Sequence, residues 1–163
     1  MNRRRDSHWP LTLSLICGVA LMLFPLPAAL EVLRPYFIAL ILVYWTIEGS
    51  FGASLGVAFL IGLFLDVATA SLLGQHALGL VIMIYLVERF RSRIRFFPMW
   101  QQSLAVLALL INERFILLWI LLFQGTRTFD WNFWLAPFVG ALIWPWLFLL
   151  MDWVRRVARS RAK

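Results

Sequence analysis

The sequence predicts an all-α integral membrane protein with six transmembrane helices and both termini cytoplasmic. Three observations carry that prediction. Apolar residues make up 63% of the 163-residue chain, and mean hydropathy is +0.84, whereas soluble domains are about half apolar. Charged residues are 14%, far below the soluble norm of about 25%, so lipid must solvate much of the apolar surface. The basic residues are also clustered: Arg3–Arg5, then Arg89, Arg91, Arg93 and Arg95, then Arg155, Arg156, Arg159, Arg161 and Lys163, leaving only Arg34, Arg114 and Arg127 elsewhere. Basic loops stay cytoplasmic, so an even number of crossings must separate consecutive clusters.

The elements follow in order. Helix 1 covers residues 9–24 behind the Arg3–Arg5 cluster. It resembles a signal peptide, but Pro27 stands where a cleavage site needs a small residue, so an uncleaved span is expected. Pro25 and Pro27 end it, because proline has no donor N–H and clashes with the preceding turn. Helix 2 covers 34–47, with Pro35 suited to a first turn, and helix 3 covers 51–68. Only Glu48-Gly49-Ser50-Phe51-Gly52 separates them. Each is short for a span of about 20 residues. Fusing them would put the Arg89–Arg95 cluster outside, so two crossings are expected, with a re-entrant hairpin as the alternative.

Helix 4 covers 72–87 and leads into a basic loop, Glu88–Pro98. Helix 5 covers 100–123 and helix 6 covers 133–153, leaving 1–8 and 154–163 as short basic tails on a single transmembrane domain. Most tryptophans fall near expected helix ends, the headgroup level that indoles prefer. Trp144 and Trp146 instead flank Pro145 in mid-helix, where a kink is expected.

The net charge of +7 points to nucleic acid or to anionic lipid. Its clustering assigns it to membrane topology, with membrane lipids as partner and no nucleic acid. Cys17 is the lone cysteine, which excludes an internal disulfide. No H-E-x-x-H, G-x-S-x-G or phosphate-loop pattern is present. The reading is therefore non-enzymatic, with no catalytic residue, no cofactor and no metal.

Polar groups inside apolar segments are the remaining candidates, since burying an ionisable group in lipid is costly. Asp66 and Arg114 match in depth, about 22 Å and about 20 Å from the cytoplasmic helix ends at 1.5 Å per residue, and are expected to pair. Asn112 and Glu113 should seek other partners, because adjacent helical residues point apart. Glu48 is expected to be a solvated carboxylate at a helix end, and His76 a hydrogen-bonded cap. Gly52, Gly56 and Gly62 share a face with Asp66, which suits close helix packing or a docking face for a partner helix.

Several stretches together resemble the rod shape-determining protein MreD family. They are Leu33-Arg34-Pro35 through Tyr44-Trp45, a G-x-x-x-D, x7, G-x-x-A-L pattern at Gly62, Asp66, Gly74, Ala77 and Leu78, Met99-Trp100-Gln101-Gln102, and Leu142 through Leu150 around Trp144-Pro145-Trp146. Asn112-Glu113-Arg114 departs from the expected pattern in being so charged. The resemblance implies a scaffold of the bacterial inner membrane in the cell-wall elongation complex. It would bind the single-pass protein MreC and act with MreB, RodA and a class B penicillin-binding protein. The family's fold is similar to the substrate-binding subunits of energy-coupling-factor transporters. That likeness supplies the alternative function, a small-molecule-binding transporter subunit.

Overall fold

Phe37 to Glu48 reads FIALILVYWTIE, apolar on every side. A helix with no polar face belongs in the interior, and every residue from Ile38 to Ile47 is buried. A computed structural model of the chain describes residues 9–25, 27, 33–49, 54–125 and 131–161. Among them are six α-helices: α1 (Trp9–Leu23), α2 (Phe37–Glu48), α3 (Leu55–Ala68), α4 (Gln75–Ile94), α5 (Met99–Phe123) and α6 (Leu135–Arg161). A 3-10 turn, Trp131–Trp134, leads into α6. The central helix α2 packs against α1, α4 and α6, while α3 lies on α4, α4 on α5, and α5 on α6.

Side-chain contacts fix the directions. Near the start of α1, the Ser14 hydroxyl accepts a 2.9 Å bond from the Trp45 indole, near the end of α2. Arg91, late in α4, donates to the Ile47 carbonyl at 3.1 Å. Arg155, late in α6, pairs with Glu48. The start of α1 and the ends of α2, α4 and α6 therefore gather at one end, called here the basic end. At the opposite end, the Tyr36 and His76 rings meet edge-on at 6.1 Å, just before α2 and at the start of α4. α2 thus runs alongside α4 for most of its length, and α3 returns from the basic end as a separate helix.

Large apolar side chains cover the outside, among them Leu60, Phe64, Val67, Phe123, Leu142 and Trp146. Apolar exposure on this scale suits contact with lipid. Two segments, Met99–Phe123 and Trp131–Ala158, are long and apolar enough to cross a membrane. The helices α1, α2 and α3 are apolar but shorter.

Element bounds differ from the sequence reading in instructive places. α2 starts after Pro35, because the Tyr36 backbone is not helical (φ −77°, ψ 74°). α4 does not stop at Val87 but continues through Arg89, Arg91 and Arg93 to Ile94. Arginine is a good helix former, and neither glycine nor proline intervenes before Pro98. α6 likewise continues to Arg161. Pro145 lies inside α6, which runs on without interruption. Its neighbours divide sharply: Trp144 is 0% exposed and Trp146 is 75% exposed.

Candidate functional site

The turn between α3 and α4 is organised by one carboxylate. Asp66, in the last turn of α3, is 1% exposed. Its Oδ2 accepts the Gly74 N–H at 2.8 Å. Its Oδ1 accepts the His76 N–H at 2.7 Å, lies 2.9 Å from His76 Nδ1, and takes the Ser71 hydroxyl at 3.1 Å. The donors Gly74 and His76 stand at the start of α4, where the first backbone N–H groups have no partner within the helix and anions are favoured. Asp66 thus caps the helix that follows its own. One turn earlier, Gly62 lies against the Ala77 backbone, so that a Cβ at Gly62 would overlap it. Gly62, Asp66, Gly74 and Ala77 therefore form one unit: close approach of two helices, then a carboxylate that closes their connection.

The expected Asp66–Arg114 pair is not formed. Arg114 instead lies over the Phe133 ring, 4.6 Å from its centroid, with its Nε 3.8 Å from Glu113 Oε2. Matching depth was the basis for that expectation, and depth says nothing about which way a side chain faces. Asp66 found donors within ten residues of itself, at little entropic cost. The reading that Glu113 and Arg114 cannot meet is corrected as well, since two long side chains fold back across the angle between them. Glu113 is 3% exposed and packs beside Gly79 of α4, one turn below His76. Among the described residues, neither the Tyr36 hydroxyl nor Asn112 Oδ1 has a hydrogen-bond partner.

At the basic end, Glu48 is not solvated. Its side chain is 8% exposed, takes an ion pair from Arg155, and has Arg95 Nη2 at 3.9 Å. Gly49 ends α2 in the left-handed conformation at φ 76°, and Arg91 crosses it to reach the Ile47 carbonyl. Cations at a helix C-terminus complement its dipole. Of the four arginines expected in a loop, Arg91 is part-buried and built into the fold, whereas Arg89, Arg93 and Arg95 are exposed. Gln102, buried at the start of α5, donates to the Ile94 and Phe97 carbonyls at 3.2 and 3.3 Å and closes the α4–α5 turn. Among the three glycines proposed as a docking face, Gly62 is occupied within the chain, Gly56 is exposed with open space beside it, and Gly52 lies outside the described residues.

Sequence reasoning missed Ser71, His76 and Arg155 as partners. The signal was available for the first two, because a carboxylate at a helix end is captured most cheaply by the loop that follows it. Nothing comparable marked Arg155, which comes from the far end of the chain.

The comparisons with known proteins now fit onto this frame. The family profile described as rod shape-determining protein MreD matches residues 3–154. The chain belongs to the MreD family. A protein of Haemophilus influenzae (strain Rd) named rod shape-determining protein MreD is 33% identical over 157 residues, covering 96% of this chain and 97% of its own length. No solved structure matches the chain. Membership in MreD supports a role in determining rod cell shape, and the exposed apolar helices fit a membrane-associated member. The MreD-like pattern seen in the sequence has a structural meaning: it builds the α3–α4 hairpin.

Proposed function

We propose that this chain is a non-enzymatic scaffold of the bacterial cytoplasmic membrane that holds together machinery for cell-wall elongation. The match to MreD over nearly the whole chain carries this reading. It crosses the membrane six times with its basic end in the cytoplasm, a reading supported by the antiparallel order of the helices and by the gathering of the arginines at one end. A structural role for the intramembrane polar groups is supported by Asp66, whose two oxygens are both taken up by donors of its own hairpin.

MreC is the direct partner in this proposal, with MreB, RodA and a class B penicillin-binding protein in the same complex. The contact face is the outward side of α3, where Gly56, Phe59, Leu60, Phe64 and Val67 are exposed at helical spacing. A glycine in such a stripe lets a partner helix approach closely.

Depletion of the protein is expected to turn rods into rounded cells, and the tagged chain solubilised from membranes is expected to retain MreC. A vitamin requirement with normal cell shape would instead favour the transporter subunit. Replacing Gly56 with Leu is expected to weaken MreC retention while leaving the fold intact. Unchanged retention counts against α3 as the contact face.

A further inference from the structure

Two basic stretches that lie far apart in the sequence meet at Glu48, which takes Arg155 from α6 and has Arg95, just past the end of α4, nearby. Of the acidic groups at this end, Glu48 and Asp152 are occupied, and Glu88 is exposed beside Arg89. Asp152 holds Arg155 at 3.0 Å and Arg156 at 2.6 Å. Arg91 is engaged by a backbone carbonyl. What remains is cationic excess facing outward. Arg89 and Arg93 are exposed one turn apart on α4, with no ion pair among the described residues. The side chains of Arg95 and Arg156 are 52% and 79% exposed.

Exposed aromatic side chains surround these arginines: Phe90, Phe96, Phe97, Trp100 and Trp153. Tryptophans on a membrane protein settle at the headgroup level, so Trp100 and Trp153 put the free guanidinium groups at the depth of the lipid phosphates. A guanidinium fork matches the geometry of a phosphate. A zwitterionic headgroup would press its own ammonium against these arginines, and an anionic one would not.

We propose that the basic end is a binding site for anionic phospholipid headgroups, with Arg89, Arg93 and Arg95 engaging the phosphates and Trp100 fixing their depth. The inference rests on the membrane-spanning reading and deepens it: a scaffold with this site is positioned by the charge of the inner leaflet.

The test uses the full chain reconstituted in vesicles of equal parts phosphatidylglycerol and phosphatidylcholine. Resistance to alkaline carbonate extraction is read first, and extraction of the chain would overturn the membrane-spanning reading itself. The inserted protein is then released into detergent, and its bound lipids are counted by native mass spectrometry. A basic side chain near an anionic surface contributes about 1 kcal/mol, so phosphatidylglycerol should exceed phosphatidylcholine by about fivefold for each arginine engaged. The R89Q/R93Q/R95Q variant should lose most of that preference, and R89K/R93K/R95K should keep it. Free inorganic phosphate should not displace the lipid. Equal retention of the two lipids by the native chain, a preference unaltered in the glutamine variant, or displacement by free phosphate would each overturn the proposal.

Discussion

The polar contacts of Asp66 join residues close in sequence, whereas those of Glu48 join residues far apart. Asp66 is satisfied by Ser71, Gly74 and His76, all within its own hairpin. Glu48 depends on Arg155, which reaches it only when α6 has packed against α2. The first arrangement makes the α3–α4 hairpin a self-contained unit. The second reports that the whole bundle is assembled. A chain built this way can form its hairpin early and close the basic end last.

Four single substitutions and two double-mutant cycles sharpen the contrast, starting from the largest expected effect. Gly62→Leu drives a side chain into the Ala77 backbone. Overpacking typically costs about 1–3 kcal/mol and more where backbone must move, so loss of most monodisperse protein by fluorescence-detected size exclusion is expected. Gly56→Leu, with open space beside it, should leave the same profile unchanged. Asp66→Ala strips the partners from two backbone N–H groups and the His76 ring. Charge-assisted bonds contribute about 1.5–3 kcal/mol each, so a drop of roughly 3 kcal/mol is expected in denaturant unfolding of the purified protein.

A double-mutant cycle on Glu48→Gln and Arg155→Gln should give a coupling of about 1–3 kcal/mol, as expected for contacting residues. The same cycle on Asp66→Asn and Arg114→Gln should be additive within about 0.5 kcal/mol. A substantial coupling there would mean that the two side chains interact after all. The smallest change in stability is expected at Ala70, which has φ 50° in the turn below Asp66. A left-handed conformation costs a residue with a Cβ about 1–2 kcal/mol, so Ala70→Gly should raise stability by a fraction of that, the greater freedom of unfolded glycine offsetting part of the gain.

The same contrast explains how much was legible in the sequence. α2 was legible as a helix because its apolar run lies between Pro35 and the Glu48–Gly52 break, whereas its place in the interior follows from its lack of a polar side and was not read from the sequence. The Gly62–Leu78 stretch stood out because it concentrates glycine and a carboxylate between two apolar runs, although the partner of that carboxylate was misassigned. Depth along a helix can be counted from sequence, but azimuth depends on how neighbouring helices rotate about their axes. That is why Asp66 was matched with Arg114 and not with His76. Glu48 was taken for a solvated group because its partner comes from another helix, and only assembly brings Arg155 beside it. The ends of α4 and α6 were set too early because charge was read as loop, whereas arginine continues a helix readily.

The central claim is a bundle that crosses the membrane with Glu48 and the arginines on the cytoplasmic side and Asp66 toward the exterior. Cysteine accessibility in intact cells tests it most directly, in a Cys17→Ser background. Leu73→Cys, at the exposed Asp66-end turn, and Phe96→Cys, at the exposed basic-end turn, are treated with a membrane-impermeant maleimide. The account predicts labelling at residue 73 in intact cells and at residue 96 only after permeabilisation. Labelling of residue 96 from outside, or of both residues from the same side, would contradict it.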